Sequence, residues 1–107
     1  MLYLRVKISR YVDAAFPGWV ECSMVDATGH EHLFVEKVPT AVTLAALDET
    51  SNFPQPGFIA CIVIGRNKRD DGSQLVRIDT QTTTVGRTKF DVFSEQLCEL
   101  PREEGGR

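Results

Sequence analysis

The chain opens on a strict alternation. Leu2, Leu4, Val6 and Ile8 fall on one face, and Tyr3, Arg5 and Lys7 on the other. A period of two marks a half-buried strand, because successive side chains on extended backbone point to opposite sides. Similar runs recur, and they predict strands at about 2–9, 19–25, 30–38, 58–64, 74–80 and 87–93. The fourth run, Phe58 to Ile64, is apolar throughout, as expected of a strand covered on both faces or set in a tightly closed barrel.

Turn residues punctuate these runs. Phe16-Pro17-Gly18 closes a first connection at 10–18. Asp26-Ala27-Thr28-Gly29 predicts a hairpin in which the Asp side chain caps the turn and Gly29 takes a positive φ. With a three-residue loop there, Met24 faces His32 and Cys22 faces Phe34. Pro39 stops the third strand, because proline has no amide to give to a ladder. Residues 40–57 are irregular. Ala41, Leu44, Ala45 and Leu47 suit one or two helical turns before Pro54, Pro56 and Gly57. Residues 66–73 read as a polar turn closed by Asp71-Gly72, and the Thr-rich stretch 81–86 as a bend or a continued strand. Leu97 and Leu100 suggest a short amphipathic turn.

Six short strands joined by turns predict an all-β fold. The expected architecture is a small six-stranded antiparallel barrel, Greek-key or like the oligonucleotide-binding (OB) barrels, or a compact sandwich. Closure removes exposed edges, a liability in a small sheet. The OB likeness is one of architecture, and a fold does not fix a function. The expected organisation is one β domain over 1–100 and a flexible tail over 101–107. Gly105-Gly106, followed by Arg107, belongs to that tail. A chain of 107 residues is large enough to bury a core without staples.

Formal net charge is −3, which argues against a general nucleic-acid binder, since phosphate neutralisation supplies most of such affinity. The distribution says more. Residues 1–61 carry four Lys/Arg against seven Asp/Glu, residues 62–90 six against three, and residues 91–107 two against five. One basic zone therefore stands out, centred on Arg66, Lys68 and Arg69, with Asp70 and Asp71 cancelling part of it. Cys22, Cys61 and Cys98 are an odd count without close spacing, so three reduced thiols are expected. Arg5, Lys7 and Arg10 interrupt any early apolar run that a signal peptide would need. Phe58–Ile64 is far too short to span a bilayer. These points lead to the expectation of a cytoplasmic protein that does not enter a membrane.

Candidate chemistry is sparse. His30 and His32 share a strand, and with Cys22 they suggest a zinc site. The close Cys or His pair that zinc sites show is missing, so no metal is expected. Glu36 falls on the face of His32 and Phe34, where a carboxylate is costly unless paired or turned outward by a bulge. His32 or a lysine from a neighbouring strand is a candidate partner, and the His32/Glu36 region is the one candidate for a small-ligand site or an enzyme centre. None of Ser9, Ser23, Ser51, Ser73 and Ser94 lies in a nucleophile-elbow motif. No phosphate loop, dinucleotide fingerprint or paired-carboxylate metal motif is present, and no cofactor is expected. Trp19 and Phe53 lie beside turns, where large side chains either plug the end of a barrel or anchor a partner.

The expectation is a non-catalytic module that binds another protein, of the small adaptor or toxin-neutralising kind. Its binding residues would be Phe53, held by Pro54 and Pro56, and the basic Arg66, Lys68 and Arg69. If the fourth strand carries these two groups to opposite ends, only the basic hairpin remains. The first alternative is a barrel for single-stranded nucleic acid. That needs aromatics among the cations, and none lies between Phe58 and Phe90 in sequence.

Overall fold

The computed structural model describes residues 2–16, 18–37, 52–81 and 88–99. Its elements are β1 (Leu2–Asp13), β2 (Trp19–Val25), β3 (Glu31–Lys37), β4 (Gln55–Lys68), β5 (Gln74–Asp79), β6 (Lys89–Phe93), a single 3-10 turn at Ser94–Gln96, and β7 (Leu97–Glu99). Six strands form an antiparallel half-barrel sheet in the order β3-β2-β1-β4-β5-β6, and β7 pairs with β1. The expected all-β, single-domain, barrel-like architecture is present, with only a short helical turn among the described residues.

The alternation read at the amino terminus sets the core. Leu4, Val6 and Ile8 are buried, while Arg5 and Lys7 are exposed. The inward positions of the neighbouring strands join them: Val20, Cys22 and Met24 from β2, Phe34 from β3, Ile59 and Cys61 from β4, Val76 and Ile78 from β5, Phe90 and Val92 from β6. Register follows the same logic. Met24 pairs with His32 and Cys22 with Phe34, as the hairpin reading required. Gly29 has a φ of 90°, a conformation that costs glycine nothing and other residues much.

The two ends of the strand order curl toward each other. The ring of Phe90 on β6 meets the rings of His32 and Phe34 on β3 edge to face, with centroids 4.8 and 5.6 Å apart. The Ala27 amide donates to the Asp91 carbonyl at 2.9 Å. Gln96 adds a second tie: its Nε2 donates to the Val25 carbonyl at 2.8 Å, and its Oε1 accepts from the Phe93 amide at 2.8 Å. The 3-10 turn therefore fixes the β2–β3 turn against β6 before the chain returns to β1.

Several boundaries depart from the sequence reading. β1 runs on to Asp13 rather than ending near residue 9, because irregularities between Ile8 and Arg10 and between Tyr11 and Asp13 break the alternation without ending the pairing. β4 is twice the expected length, and an irregularity between Val63 and Gly65 shifts its phase. Arg66 and Lys68 thus stand on a strand rather than in a turn. In place of an amphipathic turn, Leu97 lies on β7, opposite Leu4. The helical turns expected near 41–47, the Thr-rich stretch from 82 on, Leu100 and the tail 101–107 lie outside the described residues.

Candidate binding surface

The β4–β5 hairpin is built by local hydrogen bonds. Lys68 pairs with Gln74 at its mouth. The Arg69 amide donates to the Ser73 carbonyl at 2.8 Å, and the Gly72 amide donates back to Arg69 at 2.9 Å. Asp71 Oδ1 accepts from the Ser73 amide at 2.9 Å and from its hydroxyl at 2.6 Å. The Ser73 hydroxyl and amide, with a smaller contribution from the Arg69 charge, hold the Asp71 carboxyl below the usual carboxylate range. Asp71 is thus engaged chiefly by the turn itself and stays ionised beside Arg69.

Behind the turn, the sheet order brings β6 next to β5. Asn67, Leu75 and Phe93 line up across the three strands, and so do Gly65, Arg77 and Asp91. A shallow depression opens on this outer face, lined by Gly65, Arg66, Asn67, Leu75, Arg77 and Asp91. Arg77 is neutralised there, with Nη1 donating to both Asp91 oxygens at 3.1 and 3.2 Å. Arg66, Lys68 and Arg69 are exposed, and among the described residues the ion pairs engage other groups: Arg10 with Glu21, His32 with Asp26, Arg77 with Asp91 and Lys89 with Asp79. The Arg69 guanidinium lies over the Phe93 ring, 5.7 Å from its centroid, within the range of cation–π attraction. This aromatic, 24 positions along the chain from Arg69, is what reading the basic segment alone missed.

Phe53 is not part of this surface. It lies just before Gln55 at the start of β4, while Arg66, Lys68 and Arg69 lie at the strand's far end. Phe53 and Arg66 are 13 positions apart, up to roughly 43 Å at about 3.3 Å per residue of extended strand. Phe53 is also half-buried and packs against the core. The structure therefore brings together the three cations and separates Phe53 from them. Trp19 is half-buried at the start of β2, with the Lys37 ammonium 6.0 Å from its ring centroid.

The histidine region forms a different constellation from the one expected. His32 Nε2 donates to Asp26 Oδ2 at 2.7 Å, so the partner of His32 is the turn aspartate. Asp26 Oδ1 accepts from the Thr28 amide at 2.9 Å, the Thr28 hydroxyl at 2.7 Å and the His30 amide at 3.1 Å. Burial pushes the Asp26 carboxyl up, but these hydrogen bonds from His32, Thr28 and His30 outweigh it and hold the group well below the usual range. Glu36 is only 1% exposed, so no outward bulge turns it to solvent. Its charge helps burial push the neighbouring Cys22 thiol up to about 12. Burial likewise pushes Cys61 up to about 11, with a further contribution from Cys98. The described cysteines are free, Cys22 and Cys61 buried and Cys98 half-buried. Among the described residues no group of three or more His, Cys, Asp or Glu is placed to hold a metal ion, and no helix is long and apolar enough to cross a membrane.

Compared with known protein families, curated proteins and solved structures, the chain matches none.

Proposed function

We propose that this chain is a non-catalytic binding module that holds an acidic segment of another protein on the β4–β5–β6 outer face. The observation that supports it is the depression lined by Arg66 and Leu75, with Arg69 over Phe93, the neighbour of Leu75 on β6. Arg66, Lys68 and Arg69 are exposed and are engaged by none of the ion pairs among the described residues. Exposed cations beside a part-apolar depression suit a carboxylate-bearing partner, and they steer its approach as well as fixing its register. The Asp91–Arg77 pair gives the depression a polar edge that can exchange partners. A cytoplasmic setting is part of the proposal, since three free thiols persist in a reducing compartment.

One observation favours a second reading. Phe93 beneath Arg69 supplies the stacking platform that single-stranded nucleic acid needs among cations. The His32/Glu36 region is a weaker candidate for a ligand or a reaction, because His32 Nε2 is committed to Asp26 and Glu36 is shut away from solvent.

The test compares affinity capture from native lysate by the wild-type chain and by the triple variant Arg66→Glu, Lys68→Glu, Arg69→Glu, with fluorescence anisotropy on single-stranded oligonucleotides alongside. The proposal expects a partner rich in Asp and Glu that the triple variant loses, and no oligonucleotide binding at micromolar levels in physiological salt. Tight oligonucleotide binding lost in the triple variant transfers the surface to the second reading. A partner retained by the triple variant refutes both.

A further inference from the structure

The outer face of the β2–β3 hairpin carries a different feature, independent of the basic hairpin. β3 stands at one end of the strand order. Its inward residues, Phe34 and Glu36, are buried. Its outward row reads Glu31, Leu33, Val35, Lys37. Leu33 is 55% exposed and Val35 40% exposed, and Val25, opposite Glu31 on β2, is 51% exposed. Ser23 and Glu21 lie beside Leu33 and Val35 on β2, and Glu21 is held by Arg10 at 3.4 Å. The result is an apolar stripe with an acid at one end and a base at the other.

That order is self-complementary under a two-fold axis. Turn a second copy by half a turn about the position of Phe34, face to face with the first. Leu33 then meets Val35 of the other copy, and Glu31 meets its Lys37. The opposite alignment sets Glu31 against Glu31 and Lys37 against Lys37, which like-charge repulsion disfavours. A two-fold contact presents the same patch from both sides, so one strand with opposite charges at its ends suffices to fix the direction.

We infer that this face is a self-association surface, on which two copies of the chain pack their β3 strands antiparallel through Leu33 and Val35 with Glu31–Lys37 pairs at both ends. A seven-residue strand is roughly 23 Å long at about 3.3 Å per residue, so with its β2 neighbour the contact covers a few hundred Å² per copy. That is below the ~800 Å² per partner of stable complexes, so the dimer is weak and forms only at high concentration.

A charge swap tests it. Within one molecule Glu31 and Lys37 are six residues apart on extended backbone, roughly 20 Å, well beyond the ~8 Å over which physiological salt screens charges. A double swap can therefore rescue a single reversal only through another molecule. Sedimentation equilibrium of the purified chain, from about 10 μM to 1 mM to span a contact of sub-standard size, is run on the wild type, Glu31→Lys, Lys37→Glu and the double variant, with thermal melts to confirm folding. The expected result is a wild-type dimer weakened roughly tenfold by either single reversal, since each turns two attractive pairs repulsive, and restored by the double variant. Leu33→Asp should abolish it. A wild-type chain monomeric throughout, single reversals without effect, or a double variant no better than the singles each overturns the inference. None of these outcomes bears on the basic hairpin.

Discussion

Asp26 is where one side chain closes the most structure. Its carboxylate accepts three hydrogen bonds from the turn it begins and a fourth from His32, and the turn it shapes gives the Ala27 amide to Asp91 on β6. Asp26→Ala removes all four acceptor contacts. Thr28 and His30 are exposed, so water replaces their bonds at small cost. His32 is the expensive loss, because it is largely buried beside Phe90 and its bond is to a charged group. Hydrogen bonds to charged groups are worth about 1.5–3 kcal/mol, and neutral ones about 1. A net loss of roughly 2–3 kcal/mol follows, within the about 0.5–3 kcal/mol usual for point substitutions. For a domain near this size that is a fall in Tm of roughly 10–20 °C. Asp26→Asn, which keeps an oxygen for the turn and loses the charge opposite His32, should cost about half as much. Urea unfolding followed by the fluorescence of Trp19, the only tryptophan, measures both. The pH dependence has a definite sign. The folded carboxyl is held below its unfolded value, so its contribution is complete above the unfolded Asp value of about 3.9 and is lost as pH falls below it toward the folded value. The wild type and Asp26→Ala should therefore converge in stability on acidification. A loss below about 0.5 kcal/mol for Asp26→Ala, the level of an ordinary surface substitution, refutes the reasoning.

Gly57→Ala should destabilise by about 1–3 kcal/mol in the same unfolding assay. A Cβ there would stand 2.6 Å from Cδ1 of Ile8, a fully buried side chain with little room to give. Iodoacetamide at pH 8, with mass-spectrometric mapping, should label Cys98 in the native protein and spare Cys22 and Cys61, whose buried thiols are pushed up to about 12 and 11. Equal labelling of all three would contradict the burial.

Much of this fold is legible in the sequence, for reasons that are local. The Leu4, Val6, Ile8 alternation is a direct readout of one buried face. Asp26 and Gly29 announce their turn because one side chain caps it and the other residue tolerates its φ. Once that turn was placed, the β2–β3 register followed. The losses are equally physical. The second half of β4, Gly65-Arg66-Asn67-Lys68, has no apolar alternation, because the irregularity beyond Val63 resets its phase where the strand runs past the core. β7 has three residues, too few for a period. The pairing of His32 with Asp26 is not legible from face-sharing along β3, because it depends on the turn folding Asp26 back within reach. The Arg69–Phe93 contact depends on β6 lying beside β5, a tertiary fact that no local pattern carries.

The proposed function stands or falls on whether an acidic partner docks on the β4–β5–β6 outer face. The most direct measurement is amide chemical-shift mapping by nuclear magnetic resonance on the labelled chain, titrated with the captured partner. The expected shifts concentrate at 65–77 and 91–93 and are lost in the Arg66→Glu, Lys68→Glu, Arg69→Glu variant. Shifts confined to 14–18 or to the β2–β3 hairpin, with 65–77 unmoved, would contradict it.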